Sequence, residues 1–458
     1  MSAHTATIAA RLERLPAGRA LWTRVFLLSL GGFFEFYDMF MSAYVGPGLV
    51  KSGILTSTTP GLFGTTGLAG FVAAFFAGLF LGTGLFGFVA DRFGRRLIFT
   101  VSLLWYTVAA STMAFQTTAF GVDLWRFIAG IGIGVELVTI DTYIAELVPR
   151  QVRGRAFALN QVVQFSSIPA VAFLAWLLVP IAPFGFDGWR WVVLAGSAGA
   201  VIVWLIRLAV PESPRWLAQH GRIEEATRIV EQFESEATRE SGPLAEPAAE
   251  IADGSAGGNF AEIWKGPYLT RTLMLIVFNL FQTVGFYGFA NWVPSFLIKQ
   301  GIAVTASLGY TFIIAIAAPF GPLLAAFYTD RIERKWMITA SALCVAVSGL
   351  VFAQMREAPP LILFGVLVTL SNNIMSFSFH AYQAELYPTR IRALAVGFVY
   401  SFSRLSTVFS AFVIAFFLGR FGVAGVFTLI AASMGVVSLA IGIFGPKTRN
   451  LSLEEISQ

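Results

Sequence analysis

Apolar runs of about twenty residues, each broken by a short polar stretch, recur along almost the whole chain. They lie near 22–45, 66–90, 97–118, 122–146, 156–181, 190–210, 270–298, 305–329, 336–355, 359–386, 392–418 and 422–445. About 20 apolar residues in helical rise cross the hydrocarbon of a bilayer, so each run predicts one membrane-spanning helix. The longest polar stretch, 211–268, separates the sixth run from the seventh. It opens on a Pro-rich turn, continues as a charged amphipathic segment from Arg222 to Arg239, and passes into a Gly/Pro/Ala/Ser-rich tract at 241–258 of flexible-linker composition. The expected division is therefore a polar amino-terminal segment 1–21, six spans over 22–210, a polar linker with short helices over 211–268, six spans over 269–445, and a tail 446–458.

Composition agrees. Of 458 residues, 56% are hydrophobic and 12% charged, whereas soluble domains carry about 25% charged residues. A water-soluble core cannot absorb that excess, so most of the outer surface faces lipid. The single cysteine, Cys344, excludes an intrachain disulfide framework and a thiolate metal site. The net charge of +5 is small and sits in loops, which does not suit a nucleic-acid partner. Arg11, Glu13, Arg14 and Arg19 precede a first apolar run too long for a cleavable signal, so that run reads as a retained span.

Loop cations set the orientation. Arg92, Arg95 and Arg96 follow the second span, Arg150, Arg153 and Arg155 the fourth, Arg331, Arg334 and Lys335 the eighth, and Arg390 and Arg392 the tenth. Loops of the other side hold scattered cations: Lys51, Arg190, Lys299, Arg356 and Arg420. The positive-inside rule places both termini and the central linker in the cytosol.

The two halves repeat each other. Asp91-Arg92 returns as Asp330-Arg331, and Ala145-Glu146-Leu147-x-Pro149-x-x-x-Arg153 returns as Ala384-Glu385-Leu386-x-Pro388-x-x-x-Arg392, both at an offset of 239 residues. Polar identities at one offset mark an internal duplication of six spans. Parallel repeats with a binding site near the midplane are a transporter plan. No nucleophile–base pair, metal cluster or phosphate loop is apparent, so an enzyme is not expected, nor is a cofactor.

At these residues the chain resembles the major facilitator superfamily over nearly its whole length. Gly87-x-x-x-Asp91-Arg92-x-Gly94-Arg95-Arg96 is similar to its GxxxDRxGRR loop, and Arg126-x-x-x-Gly130-x-Gly132-x-Gly134 to its fourth-span motif. Pro211-Glu212-Ser213-Pro214-Arg215-Trp216-Leu217 and the tail Pro446-Lys447-Thr448-Arg449 are similar to its sugar-porter and organic-ion branches. The resemblance implies an all-α integral membrane protein of about twelve transmembrane helices in two six-helix repeats. In the seventh span the sugar porters carry a QQxxGxN-type run, whereas this chain reads Phe281-Gln282-Thr283-Val284-Gly285-Phe286-Tyr287-Gly288. With Asn291-Trp292 and Tyr382-x-x-Glu385-Leu386-Tyr387-Pro388, that stretch looks more like the niacin-permease, aromatic-acid symporter and synaptic-vesicle-glycoprotein-like group.

Charges inside spans need a reason, because each costs about 2.5–3.5 kcal/mol on insertion scales. Glu35 and Asp38 lie half-way along the first span, three residues apart, and so share a helix side. Two neighbouring carboxyls in a poorly hydrated place do not both ionise easily, and one of them is a candidate proton carrier. Similarity to proton-coupled sugar porters pairs Asp38 with Arg126, and similarity to the aromatic-acid symporters' DGxD pattern points at both acids, so which of them carries the proton stays open. Glu136 and Asp141 of the fourth span belong either to the proton path or to structural pairs; five residues apart, they point about 140° from each other and are not expected to face one cavity.

Arg404, mid-way along the eleventh span, needs an anionic partner, and the resemblance to organic-anion members makes it a substrate-carboxylate ligand. His380 reads as a cavity-lining polar group and not as a metal ligand. Tyr37, Gln161, Gln164, Gln282, Tyr287, Asn291, Trp292, Asn373 and Tyr382 complete the candidate substrate contacts. The loop charges Asp91, Arg92, Arg95, Glu146, Arg153 and Arg155, with Gly87 and Gly94, Glu212 and Arg215, and the echo Asp330, Arg331, Glu385 and Arg392, are expected to form a cytosolic gate.

The expected function is proton-driven uptake of a small organic acid by a monomer in a bacterial inner membrane, with protons, the substrate and the lipid bilayer as partners. A sugar or polyol porter is the rival, and a non-transporting nutrient sensor is the alternative of another class.

Overall fold

The computed structural model describes residues 3–86, 92–207, 210–247, 259–328 and 331–448. Among them every regular element is a helix. The six spans of the first half are Arg19–Lys51, Gly67–Phe86, Arg95–Ala114, Ala119–Leu147, a fifth span in two pieces (Arg150–Phe165 and Ser167–Leu178) and Gly188–Arg207. The second half begins with Gly266–Ala290, extended by the short helix Val293–Lys299. Its eighth span is again in two pieces, Val304–Ala315 and Phe320–Tyr328, and Arg334–Gln354 and Ala358–Glu385 follow. The last two spans lie within Thr389–Leu439, which turns back at Gly422, where φ is 65° and ψ −165°. That left-handed conformation is open to glycine at little cost and breaks the helix between two spans. Among the described residues there are thus eleven helical segments long and apolar enough to cross a membrane, the last of which folds back into two spans, and each overlaps the hydrophobic pattern.

Glycines bring the second and fourth spans together. A Cβ on Gly78, Gly82, Gly130 or Gly134 would lie 2.0–2.4 Å from a backbone carbonyl oxygen of the facing helix. Small residues four apart on both partners allow such an approach, and in lipid it is van der Waals contact that holds helices together. The glycine-rich fourth-span motif is thus a packing surface, and it fixes the rotation of the helix that carries Arg126.

The face that bears both termini is built from caps and ion pairs. Ser213 accepts a hydrogen bond from the backbone N–H of Trp216, and Pro214 occupies the first helical position of Pro214–Gln219. Glu212 turns the other way and accepts from the backbone N–H groups of Arg95 (3.0 Å) and Arg96 (3.1 Å). It caps the third span, where a carboxylate also meets the positive end of the helix dipole. Gly94, at φ 102°, leaves the space that Glu212 fills.

The segment before the first span is itself a helix, Ala3–Glu13. Ile8 and Leu12 are buried in one apolar cluster with Val230 and Phe233 of the linker helix Ile223–Ser241. Arg11 and Arg14 both reach Glu234 at 2.7 Å, while Glu13 accepts from Arg215 at 2.6 Å and from Arg153 at 3.3 Å. The polar amino-terminal segment therefore straps the linker helices to the start of the fifth span. Residues 248–258 of the Gly/Pro-rich tract lie outside the described residues.

Candidate functional site

A cavity lies between the two halves. From the first half it is lined by Phe36 and Met39 of the first span, Asp141 of the fourth, and Gln161, Gln164 and Phe165 of the fifth. The second half adds Gln282, Phe286 and Tyr287 of the seventh span, Ser376, Phe379 and His380 of the tenth, and Tyr400 and Arg404 of the eleventh. Most of these are three or four residues apart on their own helix, the spacing that sets side chains on one helical face. The walls are thus largely aromatic with a few polar groups, as in sites for small organic ligands.

Arg404 is buried, and its guanidinium donates to the hydroxyls of Tyr287 at 3.0 Å and Tyr400 at 3.1 Å. It also lies 4.9 Å from the centre of the Tyr400 ring. Among the described residues no carboxylate is within salt-bridge distance of it, although it sits in the field of Glu35. A buried guanidinium held by two neutral hydroxyls keeps its charge available to an anion. Gln282 donates to Ser403 over 3.4 Å, and Nδ1 of His380 meets the carbonyl of Ser376 at 2.7 Å, which orients the rest of the imidazole to the cavity.

On the facing wall, Asp141 is exposed to the cavity and accepts from Asn160 at 3.2 Å. Glu136, five residues earlier, is fully buried and is not among the lining residues. The helical angle between the two acids explains the difference.

Asp38 and Arg126 form a buried ion pair at 2.7 Å inside the first half. The second guanidinium nitrogen donates to the carbonyl of Asp38 and, at 2.9 Å, to Ser42. The rings of Phe75, 4.1 Å away, and Phe71 complete the enclosure. Asp38 lines a separate small cavity with Tyr37, whose hydroxyl donates to the carbonyl of Val192 at 2.8 Å. Glu35, three residues before Asp38 on the first span, is fully buried.

Towards the face opposite the termini the halves touch. Trp176 of the fifth span stacks on Phe312 of the eighth, with 6.0 Å between ring centres, and Phe173 packs on the same ring at 5.3 Å. Deeper in, Tyr287 meets Phe40 at 6.3 Å and Phe76 at 4.8 Å. The first span is buried without a break from Tyr37 to Leu49. A second, mostly apolar cavity lies beyond these rings, with Asn372 and Asn373 in its wall, and shares Phe286 with the first. On the termini-bearing face, among the described residues, Arg95 and Arg334 each pair within their own half. Arg95 meets Glu146 at 3.0 Å, and its counterpart at the 239-residue offset, Arg334, meets Glu385 at 2.8 Å. Arg153 reaches the carbonyl of Val148 and Arg392 that of Tyr387, both at 3.2 Å and again at that offset.

The substrate candidates therefore divide. Gln161, Gln164, Gln282, Tyr287, His380 and Arg404 line the central cavity, and Asn373 lines the second one, where it donates to the carbonyl of Ala318 at 2.9 Å. Tyr37 lies inside the first half. Asn291 and Trp292 are buried at the break after the seventh span, lining neither cavity. Tyr382 donates to the carbonyl of Pro446 at 2.7 Å, so it anchors the tail and not a ligand. Helix geometry accounts for Tyr382: its neighbours Phe379 and His380 take the cavity-facing side of the tenth span.

Of the gate candidates, Gly87, Asp91 and Asp330 lie outside the described residues, and Arg92, Arg155 and Arg331 are exposed. Sequence reasoning missed Phe36, Met39, Phe165, Phe286, Phe379, Ser376 and Tyr400. Tyr400 was within reach, since it precedes Arg404 by four residues. The phenylalanines were not, in a chain with 45 of them.

The family model for sugar (and other) transporters matches residues 25–458. The niacin transporter NiaP of Acinetobacter baylyi is 30% identical over 98% of this chain and 99% of its own length. A Bacillus subtilis protein assigned to metabolite transport, YyaJ, is 31% identical over 96% of this chain and 95% of its own. Among solved structures, the inward-open xylose transporter XylE of Escherichia coli superposes with a TM-score of 0.72 over 95% of this chain and 99% of its own, at 20% identity.

Proposed function

Because the chain belongs to the sugar (and other) transporter family and has the major facilitator fold, we propose that this membrane transporter imports a small organic acid, an aromatic or other monocarboxylate, by proton symport. The observation that carries the reading is Arg404: a buried guanidinium on the central cavity, held by tyrosine hydroxyls and ringed by aromatic side chains. A carboxylate can take two parallel hydrogen bonds from such a group while its ring lies between Phe36, Phe165, Phe286 and Phe379. NiaP, whose named substrate is an aromatic monocarboxylate, supports the same class.

Coupling follows from charge. Glu35 acts electrostatically on Arg404. Ionised, it offsets the guanidinium; protonated, it leaves that charge to the substrate. Proton and anion then enter as a neutral pair. The Asp38–Arg126 pair is the second proton candidate, since protonation of Asp38 would free Arg126 and loosen the contact between the first and fourth spans. Glu136 and Asp141 remain further members of the proton path.

The rings closed on one face, with the Arg95–Glu146 and Arg334–Glu385 pairs each within one half on the other, suit a state open to the termini-bearing side. In this reading that side is the cytosolic one, which the positive-inside rule supports through its loop cations. Arg95–Glu146, Arg334–Glu385, Glu212 and Arg215 then belong to the gate. Alternating access is the rocking of the two halves about the central site. The protein works as a monomer in a bacterial inner membrane.

A sugar or polyol porter is the second reading, favoured by the amides Gln161, Gln164 and Gln282 on the same cavity. Uptake of labelled benzoate and of a hexose into proteoliposomes, with and without an inward proton gradient, separates the two. Gradient-driven benzoate uptake that is lost in Arg404→Ala is expected. Hexose uptake that survives Arg404→Ala would overturn the acid reading.

A further inference from the structure

The cavity has a charged group on each wall. Arg404 stands on the second half, and Asp141, exposed to the cavity, stands on the first. Asp141 lies about four turns of helix beyond Arg126, so it is well clear of the buried Asp38 pair. Asn160 binds one carboxylate oxygen of Asp141 and fixes its direction. Gln161 and Gln164 extend the same wall, while His380, Tyr400 and Gln282 surround Arg404. A plain monoanion satisfies only the Arg404 end and brings its charge into a space that already holds Asp141.

From this opposition we infer that the preferred substrate is a bipolar aromatic acid, with its carboxylate on Arg404 and a hydrogen-bond-donating or cationic substituent at the far end of the ring on Asp141. The inference rests on the acid reading above and names the substrate class within it. A hydroxyl or amine placed there donates to the Asp141 carboxylate, and a charge-assisted bond of that kind is stronger than a neutral one. A second carboxylate at the same position meets Asp141 head-on, so aromatic dicarboxylates are rejected by like charge. Phe36 and Phe165 of the first half and Phe286 and Phe379 of the second supply the apolar surface of the same cavity for the ring, with Phe165 and Phe286 meeting edge-on at 6.4 Å.

The experiment is binding to the purified full-length protein, with four probes: benzoate, para-fluorobenzoate, para-hydroxybenzoate and terephthalate. Binding of any simple benzoate tests the acid reading, and the ratios among the probes test the bipolar one. Para-hydroxybenzoate is expected to bind on the order of tenfold more tightly than para-fluorobenzoate, which has similar size and no donor. Terephthalate is expected not to compete. In Asp141→Asn the affinity ratio of the hydroxy to the fluoro compound should collapse towards unity, and terephthalate should begin to compete.

Equal affinities for the hydroxy and fluoro compounds in the unaltered protein would overturn the inference and leave the acid reading standing; this arm needs no variant. A hydroxyl preference that persists in Asp141→Asn would also overturn it, and all the more if that variant loses gradient-driven accumulation, which would assign Asp141 to the proton path alone. Binding of none of the four overturns both readings.

Discussion

Arg126 shows how a single residue can be expensive and still be kept. Its guanidinium is fully buried and meets Asp38, Ser42 and two phenylalanine faces. Taking out one partner of such a pair leaves an uncompensated buried charge, which costs about 3–5 kcal/mol. Asp38→Ala is therefore expected to lower the melting temperature in detergent more than the double change Asp38→Ala with Arg126→Leu, which removes both charges. A double variant less stable than the single one would show that packing around the pair, and not the unpaired charge, carries most of the loss. Glu35 differs, because its proposed role is exchange with the proton. Glu35→Gln is expected to fold and to exchange substrate across the membrane without accumulating it against a gradient, as counterflow and gradient-driven uptake measured side by side will show.

At the scale of the element, two contacts set the arrangement. The second and fourth spans touch through Gly78, Gly82, Gly130 and Gly134, where an added methyl group overlaps a carbonyl oxygen. Gly130→Val is expected to destabilise by more than the usual 1–3 kcal/mol of core overpacking, because backbone and not a flexible side chain must move. A variant melting within a degree of the unaltered protein would contradict that contact.

The amino-terminal strap is the other contact, and it depends on pH. Burial pushes the Glu234 carboxyl up, but hydrogen bonds and charge from Arg11 and Arg14 outweigh it and hold the group below its ordinary value. A carboxyl with a lowered folded-state pKa contributes stability that is whole above its unfolded value and is lost as pH falls through the lowered one. The strap should therefore be intact at neutral pH and released in acid, below the ordinary glutamate value of about 4.3. Limited proteolysis near residues 14–18, as a function of pH and in Glu234→Gln, measures this. Cleavage in Glu234→Gln at neutral pH is the expected result.

For the whole molecule the question is which face opens. Trp176 on Phe312, and Tyr287 on Phe40 and Phe76, seal one face, and each contact joins one half to the other. Trp176→Ala with Phe312→Ala removes part of that seal and is expected to move the population towards the state open on that face. Tyr44 lies in the wall of the second cavity. In a Cys344→Ser background, Tyr44→Cys should be labelled by a membrane-impermeant maleimide several times faster when both rings are trimmed. An unchanged labelling rate would mean that the rings do not hold the closure.

Much of this protein is written in its sequence, and the reason is the bilayer. A span must be apolar for about 20 residues whatever it packs against, so twelve runs and the kind of fold follow from the chain alone. The repeat at 239 residues was legible too, because glutamates and arginines are rare enough here for their recurrence to stand out; the ion pairs Arg95–Glu146 and Arg334–Glu385 obey it. What hydropathy cannot encode is which side of an apolar helix turns inward. Phe36, Phe286 and Phe379 face the cavity, while other phenylalanines of the same composition face lipid or core. Asn291 and Tyr382 are polar residues in spans that the fold spends on burial and on the tail. The rotation of each helix is set by its neighbours, through glycine contacts and buried pairs contributed by other parts of the chain. Only the assembled bundle decides that Asp141 and Arg404 look at each other across one space.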